Sequence, residues 1–422
     1  MNLIEKGPGY ASGLRDFGKY FNTGTLGAGI IAAIMGCTGP ALLIITAGQG
    51  AGLAMGTIES WLFSVYFFGG LITIILALYY KQSICGAWSI PGVALVAAAL
   101  AEFTFNEVVF AYILAGVIVL VIGFTGLVRK VMMWIPRAVV MGMVAGALFK
   151  FGLNIFPATV ELPLMAVPML AIWVLFTLYR TKLHVPGVLM ALVLGIIIAV
   201  GMGLTDFSGV TLTLAKPQIF TPTYSTGAII GLAIPLAIIV ITAENTQAMG
   251  VLMSIGKNPP VNAMTLISGV GGIITGFFGG HNANIAGPMT AITSSPEAGP
   301  VEGRYVGSTV DGILFGAFGI IAGAALSIVS VLPKVVINVV VGLTMVGVLS
   351  SALTDAWHGK FKYGAFFAFF FTASLATWFK IGAPFWGLLF GTVLSYILDR
   401  EDWKEKQANE ANEANEAKET AA

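Results

Sequence analysis

Glu244 stands in the run IVITAENTQAMG with apolar residues on both sides. A carboxyl group at membrane depth is expensive, and it usually faces a cavity or relays protons. An anion bound about 5 Å away at an effective dielectric near 20 would add roughly 3 kcal/mol of repulsion. The carboxyl would then take up a proton as the anion arrives, and the two would cross together. Asp311, in another apolar run seven residues after Arg304, is the candidate second relay, with helix pairing as its competing role. Residues 277–299, FFGGHNANIAGPMTAITSSPEAG, interrupt the hydrophobic background with glycine, proline and amides. Freed backbone groups find no partner in hydrocarbon, so such a break persists only inside protein or along a wet cavity. His281, Asn282, Asn284 and Ile285 from this break, Trp88 and Ser89 from a similar one, and Glu244 form the candidate substrate-binding set. Glu244 and Asp311 form the candidate proton-coupling set. The plainer reading is that the amides only cap a helix and Trp88 only packs.

These residues must be carried by membrane-spanning helices. Of 422 residues, 57% are hydrophobic and 10% charged, with mean hydropathy +0.91, which excludes a soluble globular chain. Apolar stretches of about 17 to 25 residues predict twelve ordinary spans, near 27–46, 57–79, 105–127, 136–154, 161–179, 185–203, 226–248, 261–278, 305–331, 335–355, 363–380 and 383–398. Segments 83–101 and 280–294 each read as a short extended stretch leading into a half-helix, giving fourteen segments. With both termini cytoplasmic, only Lys150, Lys216, Lys334 and Lys380 of the 21 basic residues fall outside, the asymmetry expected of a correct topology.

The broken segments are the third and the tenth, and that odd offset inverts one half of the chain relative to the other. Ser89-Ile90-Pro91-Gly92 can be laid over Asn284-Ile285-Ala286-Gly287, and paired interrupted segments point to a site at the membrane midplane. Half-helices starting near Ser89 and Asn284 would present their N-termini to each other. Unpaired N–H groups and about half a positive charge at each tip favour an anion between them. The expected fold is an all-α polytopic membrane protein with a seven-plus-seven inverted repeat.

Other residues are set aside. Cys37 and Cys85 have no disulfide framework or metal-ligand spacing, and no cofactor is expected beyond protons as the coupling ion. No nucleophile, base and orienting group can be assembled, with His184 and His358 in expected cytoplasmic loops, so enzyme chemistry is not expected. Glu59, Glu102, Glu107 and Asp355 fall near span ends, and Arg137 is expected to snorkel to the cytoplasmic surface. The glycines of GVGG, 269–272, lack the context of a nucleotide loop, and Gly312, Gly316 and Gly319 fit helix packing. The polar N-terminus lacks a signal-peptide pattern and is expected in the cytoplasm. The tail, 401–422, is expected to be a frayed helix or disordered.

The segment GGHNANIAGPMTAITSSPEAGP, with Gly303-Arg304-Tyr305 after it, closely resembles the tenth-span signature of the benzoate:proton symporter family, BenE type. The resemblance runs through most of residues 10–400. It implies the seven-plus-seven fold of the uracil/xanthine permeases and sulfate-type anion transporters. A core domain would comprise 1–128 and 223–333, and a gate domain 129–222 and 334–400. Ala243-Glu244-Asn245 is similar to the eighth-span acidic motif of nucleobase permeases, whose Glu contacts substrate. Those permeases commonly carry a second acid at the tenth-span half-helix, where this chain has Ala283 and Asn284. Loss of that acid leaves the helix dipole unopposed and suits a carboxylate better than a base.

The resemblance implies proton-coupled import of a small aromatic carboxylate such as benzoate, by alternating access, in a bacterial inner membrane. The expected partners are a small anionic substrate and the lipid bilayer; nucleic acid is not expected, and a homodimer is allowed. A nucleobase symporter or anion exchanger on the same fold and a passive anion channel are the alternatives.

Overall fold

The breaks at 83–101 and 280–294 are resolved by pairing with each other. In the computed structural model, which describes residues 4–126, 135–179, 185–379 and 381–408, strand β1 (Gly86–Ala87) runs antiparallel to β2 (Asn284–Ile285), with Gly86 opposite Ile285 and Ala87 opposite Asn284. Side chains and a neighbouring carbonyl take the remaining donors: Cys85 N donates to Thr290 Oγ1 at 3.1 Å, Gly86 N to Thr73 Oγ1 at 2.7 Å, and Ala286 N to the Cys85 carbonyl at 2.8 Å. Buried backbone groups are thus paired without a helix or a sheet edge in lipid. Expectations for Arg129, Lys130, Arg180, Lys182, His184, Lys380 and Lys418, and for the tail beyond 408, lie outside the described residues.

The rest is helical. In chain order the first half holds α1 (Tyr10–Tyr20), α2 (Thr23–Cys37), α3 (Gly39–Gly50), α4 (Met55–Tyr80), β1, α5 (Ile90–Leu100), α6 (Phe105–Thr125), α7 (Arg137–Leu153), α8 (Ile155–Glu161), α9 (Pro163–Leu178) and α10 (Gly187–Gly201). The second half holds α11 (Thr226–Ser254), α12 (Val261–Phe277), β2, α13 (Gly287–Thr293), α14 (Tyr305–Ile320), α15 (Ala322–Ser330), α16 (Lys334–Trp357), α17 (Lys362–Ala373) and α18 (Ala383–Leu398). Among the described residues, six helical stretches, with α2–α3 and α7–α8 each taken as one, are long and apolar enough to cross a bilayer, or seven if α14 and α15, bent by 62°, also count as one. Local signals set their ends. Asn22 accepts from Gly24 N and Thr25 N while its own N–H donates to Thr25 Oγ1, a capping box that starts α2.

Two groups of helices pack most closely among themselves: α4 and α2 with α14, and α6 with α12 in one; α7 with α16 and α17, and α17 with α18 in the other. Glycine permits the closest approaches in the first group. A Cβ on Gly269 would lie 2.6 Å from Leu120 N, and one on Gly70 would lie 2.4 Å from the Gly312 carbonyl. The GVGG glycines therefore serve helix packing. The groups meet through α3 with α16, α5 with α7, and α11.

Two elements differ from the sequence expectation. α13 starts at Gly287 with Ala286 at its N-cap, so the start near Asn284 is corrected. The equivalent residues are Ser89-Ile90-Pro91 and Ala286-Gly287-Pro288, two positions from the sequence overlay, because proline at the second helical position sets both starts. Second, residues 400–408 form a helix, and this part of the tail is docked rather than frayed. The Asp399 carboxylate accepts from Gly364 N at 2.9 Å, Asp402 accepts from Phe361 N at 2.6 Å, and Trp403 meets Phe361 edge to face at 5.3 Å.

The polar N-terminus is built into the fold. Glu5 accepts from Asn262 N and Ala263 N at the start of α12, and α1 is held where Tyr305 donates to the Gly13 carbonyl at 2.8 Å. Lys81 lies 2.6 Å from Asp16 and donates to it, which lowers the carboxyl's pKa.

The connector 204–225, which has no regular structure, is stitched to helix ends by its backbone. Ala215 N donates to the Ile320 carbonyl, Phe220 N to that of Phe277 and Thr223 N to that of Asn106, while Gln218 N donates to Ser60 Oγ.

Candidate functional site

Glu244 lies within a π-helical turn of α11, Val240–Asn245. The wider register shows in Thr246 Oγ1, which donates to the Ile241 carbonyl five residues back at 2.8 Å. Such a turn rotates the residues that follow and is common at functional sites. Here it brings Glu244, 8% exposed, to the wall of a cavity of about 370 Å³. That volume is within the range of small-molecule sites, about 300–1,000 Å³. The β1–α5 junction contributes Trp88, Ile90 and Pro91, and the β2–α13 junction contributes Ala286, Pro288 and Met289. α7 and α16 close the other side with Met141, Val144, Thr344 and Val348, and Arg137 also lines it. The wall is mainly apolar, with the Trp88 ring against Tyr66 at 5.7 Å and Tyr66 against Phe315 at 4.5 Å.

Ser89 links Glu244 to the half-helix. Its hydroxyl donates to Glu244 Oε1 at 2.8 Å, and the same oxygen accepts from Gly92 N at 3.1 Å as the N-cap of α5. Behind it, Ser89 N donates to Asn282 Oδ1 at 3.0 Å. Trp61 Nε1 lies 3.0 Å from His281 Nδ1, and an indole nitrogen only donates. Nδ1 therefore accepts, which leaves the ring proton on Nε2 to donate to the Ser89 carbonyl at 3.0 Å. Both ring nitrogens are committed and His281 is held as one tautomer.

The candidate residues thus separate. Trp88 and Glu244 line the cavity, and Ser89 touches Glu244. His281 and Asn282 lie behind the wall and brace Ser89. Asn284 is fully buried and donates to the neighbouring Ile285 carbonyl at 2.9 Å, and Ile285 packs into a buried cluster with Ile72 and Ile84. Asp311, also fully buried, lies on α14 away from the cavity wall with neither carboxyl oxygen hydrogen-bonded.

The lining residues missed from the sequence include Gln247 and Arg137. Gln247 follows Glu244 by three residues on the same helix, a spacing that could have found it. Arg137 pairs with Asp355 at 2.6 Å, so beyond the expected snorkelling it forms part of the cavity wall.

The family model described as "Benzoate membrane transport protein" matches residues 19–397. Inner membrane protein YdcO of Escherichia coli is 30% identical over 384 residues, covering 89% of this chain and 97% of that protein. The benzoate membrane transport protein of Acinetobacter baylyi is 27% identical over 373 residues, covering 88% and 94%. Among solved structures, the transmembrane domain of a cyanobacterium bicarbonate transporter, BicA, matches with TM-score 0.59 at 16% identity, covering 89% of this chain and 96% of that one. SLC26A9 matches with TM-score 0.64 at 16% identity, covering 91% and 65%. At these identities the two structures establish a shared fold. The chain belongs to the benzoate membrane transport protein family, a family of membrane transporters and not of enzymes.

Proposed function

Taking that membership as premise, we propose that the chain imports a small aromatic carboxylate such as benzoate across a bacterial inner membrane by proton symport. The observation that carries this reading is one buried acid, Glu244, on the wall of a mainly apolar cavity where the ends of α5 and α13 converge. In this reading the chain has fourteen segments, twelve spans and two breaks, with both termini cytoplasmic. The core, 1–128 and 223–333, alternates against the gate, 129–222 and 334–400. The two packing groups support that division.

The substrate's ring lies against Trp88, and its carboxylate approaches the N–H groups of the half-helix tips. Each first turn has few free donors: Pro91 and Pro288 have no N–H, and Ser89 occupies that of Gly92. α13 has only seven residues, so its macrodipole is small and the attraction comes mainly from those local donors. Repulsion between the incoming carboxylate and Glu244 is relieved when Glu244 takes a proton, which links the two movements. Asp311 is the second proton-coupling group of this reading, and no cofactor takes part besides protons.

The cavity presents one acid, because Ala283 replaces the second and the Asn284 amide turns back to its own strand. This favours a carboxylate over a nucleobase. In proteoliposomes, an imposed inward proton gradient is expected to drive benzoate accumulation that a protonophore collapses and Glu244→Gln abolishes. Undiminished proton-driven uptake in Glu244→Gln would overturn the assignment. Competition by uracil or xanthine in place of benzoate would favour a nucleobase carrier, and benzoate exchange without proton movement an exchanger.

A further inference from the structure

We infer that the side-chain amide of Gln247 is the group that reads the substrate's carboxylate, an inference that rests on the transport reading above. Gln247 lies on the cavity wall one turn after Glu244, half-buried, and among the described residues its amide makes no hydrogen bond. Most other polar side chains of the site are committed; the Trp88 indole N–H has no partner among the described residues but is buried within the wall. Glu244 holds Ser89, Arg137 holds Asp355, and the Thr344 hydroxyl donates to the Val340 carbonyl. His281 spends both ring nitrogens behind the wall.

The placement of Gln247 depends on Gly287. A Cβ at that position would come within 2.5 Å of Gln247 Cγ and Oε1 and 2.6 Å of Cδ. The glutamine side chain therefore lies flat against the first residue of α13, where any larger residue would displace it.

An amide suits a proton-coupled carboxylate site for an electrostatic reason. It offers two N–H donors to a planar carboxylate but brings no charge. A guanidinium or ammonium there would neutralise the incoming anion and remove the need for Glu244 to take a proton. A neutral reader binds the carboxylate and leaves its charge to be balanced by the coupling proton. The site is thus matched to a monocarboxylate on a flat apolar body.

Proteoliposomes with wild type and Gln247→Met, which keeps the volume and removes the donors, test this directly. The expected result is a KM for benzoate raised about tenfold, the loss of one hydrogen bond to a charged group, with kcat and pH profile retained. Gly287→Ala is expected to raise KM similarly by displacing the amide, and the double variant to be no worse than either single one. Gln247→Lys is expected to take up benzoate with a weakened requirement for the proton gradient. An unchanged KM in Gln247→Met, strictly additive effects in the double variant, or a lost proton requirement in Gln247→Met would each overturn the inference. Wild-type protein that takes up no aromatic carboxylate would overturn the transport reading itself, a result visible before any variant is compared.

Discussion

The two half-helices reach the cavity by the same strand-then-proline design and end differently. α5 is capped: Ser89 holds Gly92 N, and the same hydroxyl is aimed at Glu244, with Asn282, His281 and Trp61 fixing the serine backbone. α13 begins with Gly287 and has no side-chain cap; Ala286 occupies the cap position. One tip is engaged with the cavity's acid and the other is left open beneath Gln247. Two copies of one motif can therefore divide the work, since the residue at the N-cap decides whether a tip's donors are used internally or offered outward. In the proposed cycle the capped tip attends to the proton and the uncapped tip to the cargo.

Breaking the bracing of the capped tip has the largest expected effect. His281→Ala leaves the Trp61 N–H buried without a partner, costing about 1–3 kcal/mol, and leaves the Ser89 carbonyl with only its 3.3 Å bond from Val93 N. The denaturation midpoint of purified protein should fall clearly, and proton-driven uptake with it. Wild-type stability and uptake would show that the brace is idle.

Ser89→Ala makes the α5 tip resemble the α13 tip. It removes a helix cap of about 1 kcal/mol and, among the described residues, the only hydrogen bond to the Glu244 side chain. The pH profile of uptake should move while folded protein is still recovered, and an unmoved profile would separate Ser89 from the coupling.

The reverse change, Ala286→Ser, caps α13. Ala286 has extended backbone angles, φ −111° and ψ 115°, which suit a capping serine. Thermal stability should rise by about 0.5–1 kcal/mol while the KM for benzoate increases, because a donor offered to the substrate is taken. Raised stability with unaltered KM would mean that the open tip is not used.

Asp16→Asn, remote from both tips, should have the smallest effect. The Lys81 hydrogen bond lowers the folded-state pKa of this carboxyl. Its stabilising contribution is therefore present above the unfolded carboxyl's ordinary value and lost as pH falls through the lowered one. Wild type and variant should differ slightly at neutral pH and converge in acid, with uptake unaffected. A transport defect would show that α1 acts on the cavity.

The parts legible in the sequence were those that hydrocarbon punishes. Glu244 and the two glycine- and proline-containing breaks stood out because neither a charge nor a broken helix is tolerated in lipid, and Trp88 and Ser89 came with the first break. The register of the second break was not legible. Pro288 marks its helix start, but only strand pairing between residues about two hundred positions apart aligns the two breaks, and four similar residues could be overlaid two places out. His281, Asn282 and Asn284 looked like site residues because polarity marks a buried hydrogen-bonding role without showing which way the side chain faces. The π-helical turn that presents Glu244 leaves no composition signal, and Arg137 was set aside because basic residues at span ends commonly reach for water.

The stitched connector also carries a mechanical consequence. From Thr205, whose hydroxyl donates to the Val331 carbonyl, through Thr223 it is fastened to the ends of α6, α12, α14 and α15. Upstream it joins α10 through a bonded turn: Gly203, at φ 66°, donates to the Val200 carbonyl and Leu204 N to that of Ala199. A strap fixed at both ends transmits a displacement instead of absorbing it. Swinging of α9 and α10 would therefore pull on the helix ends the connector spans, and an insertion at that turn would uncouple the two.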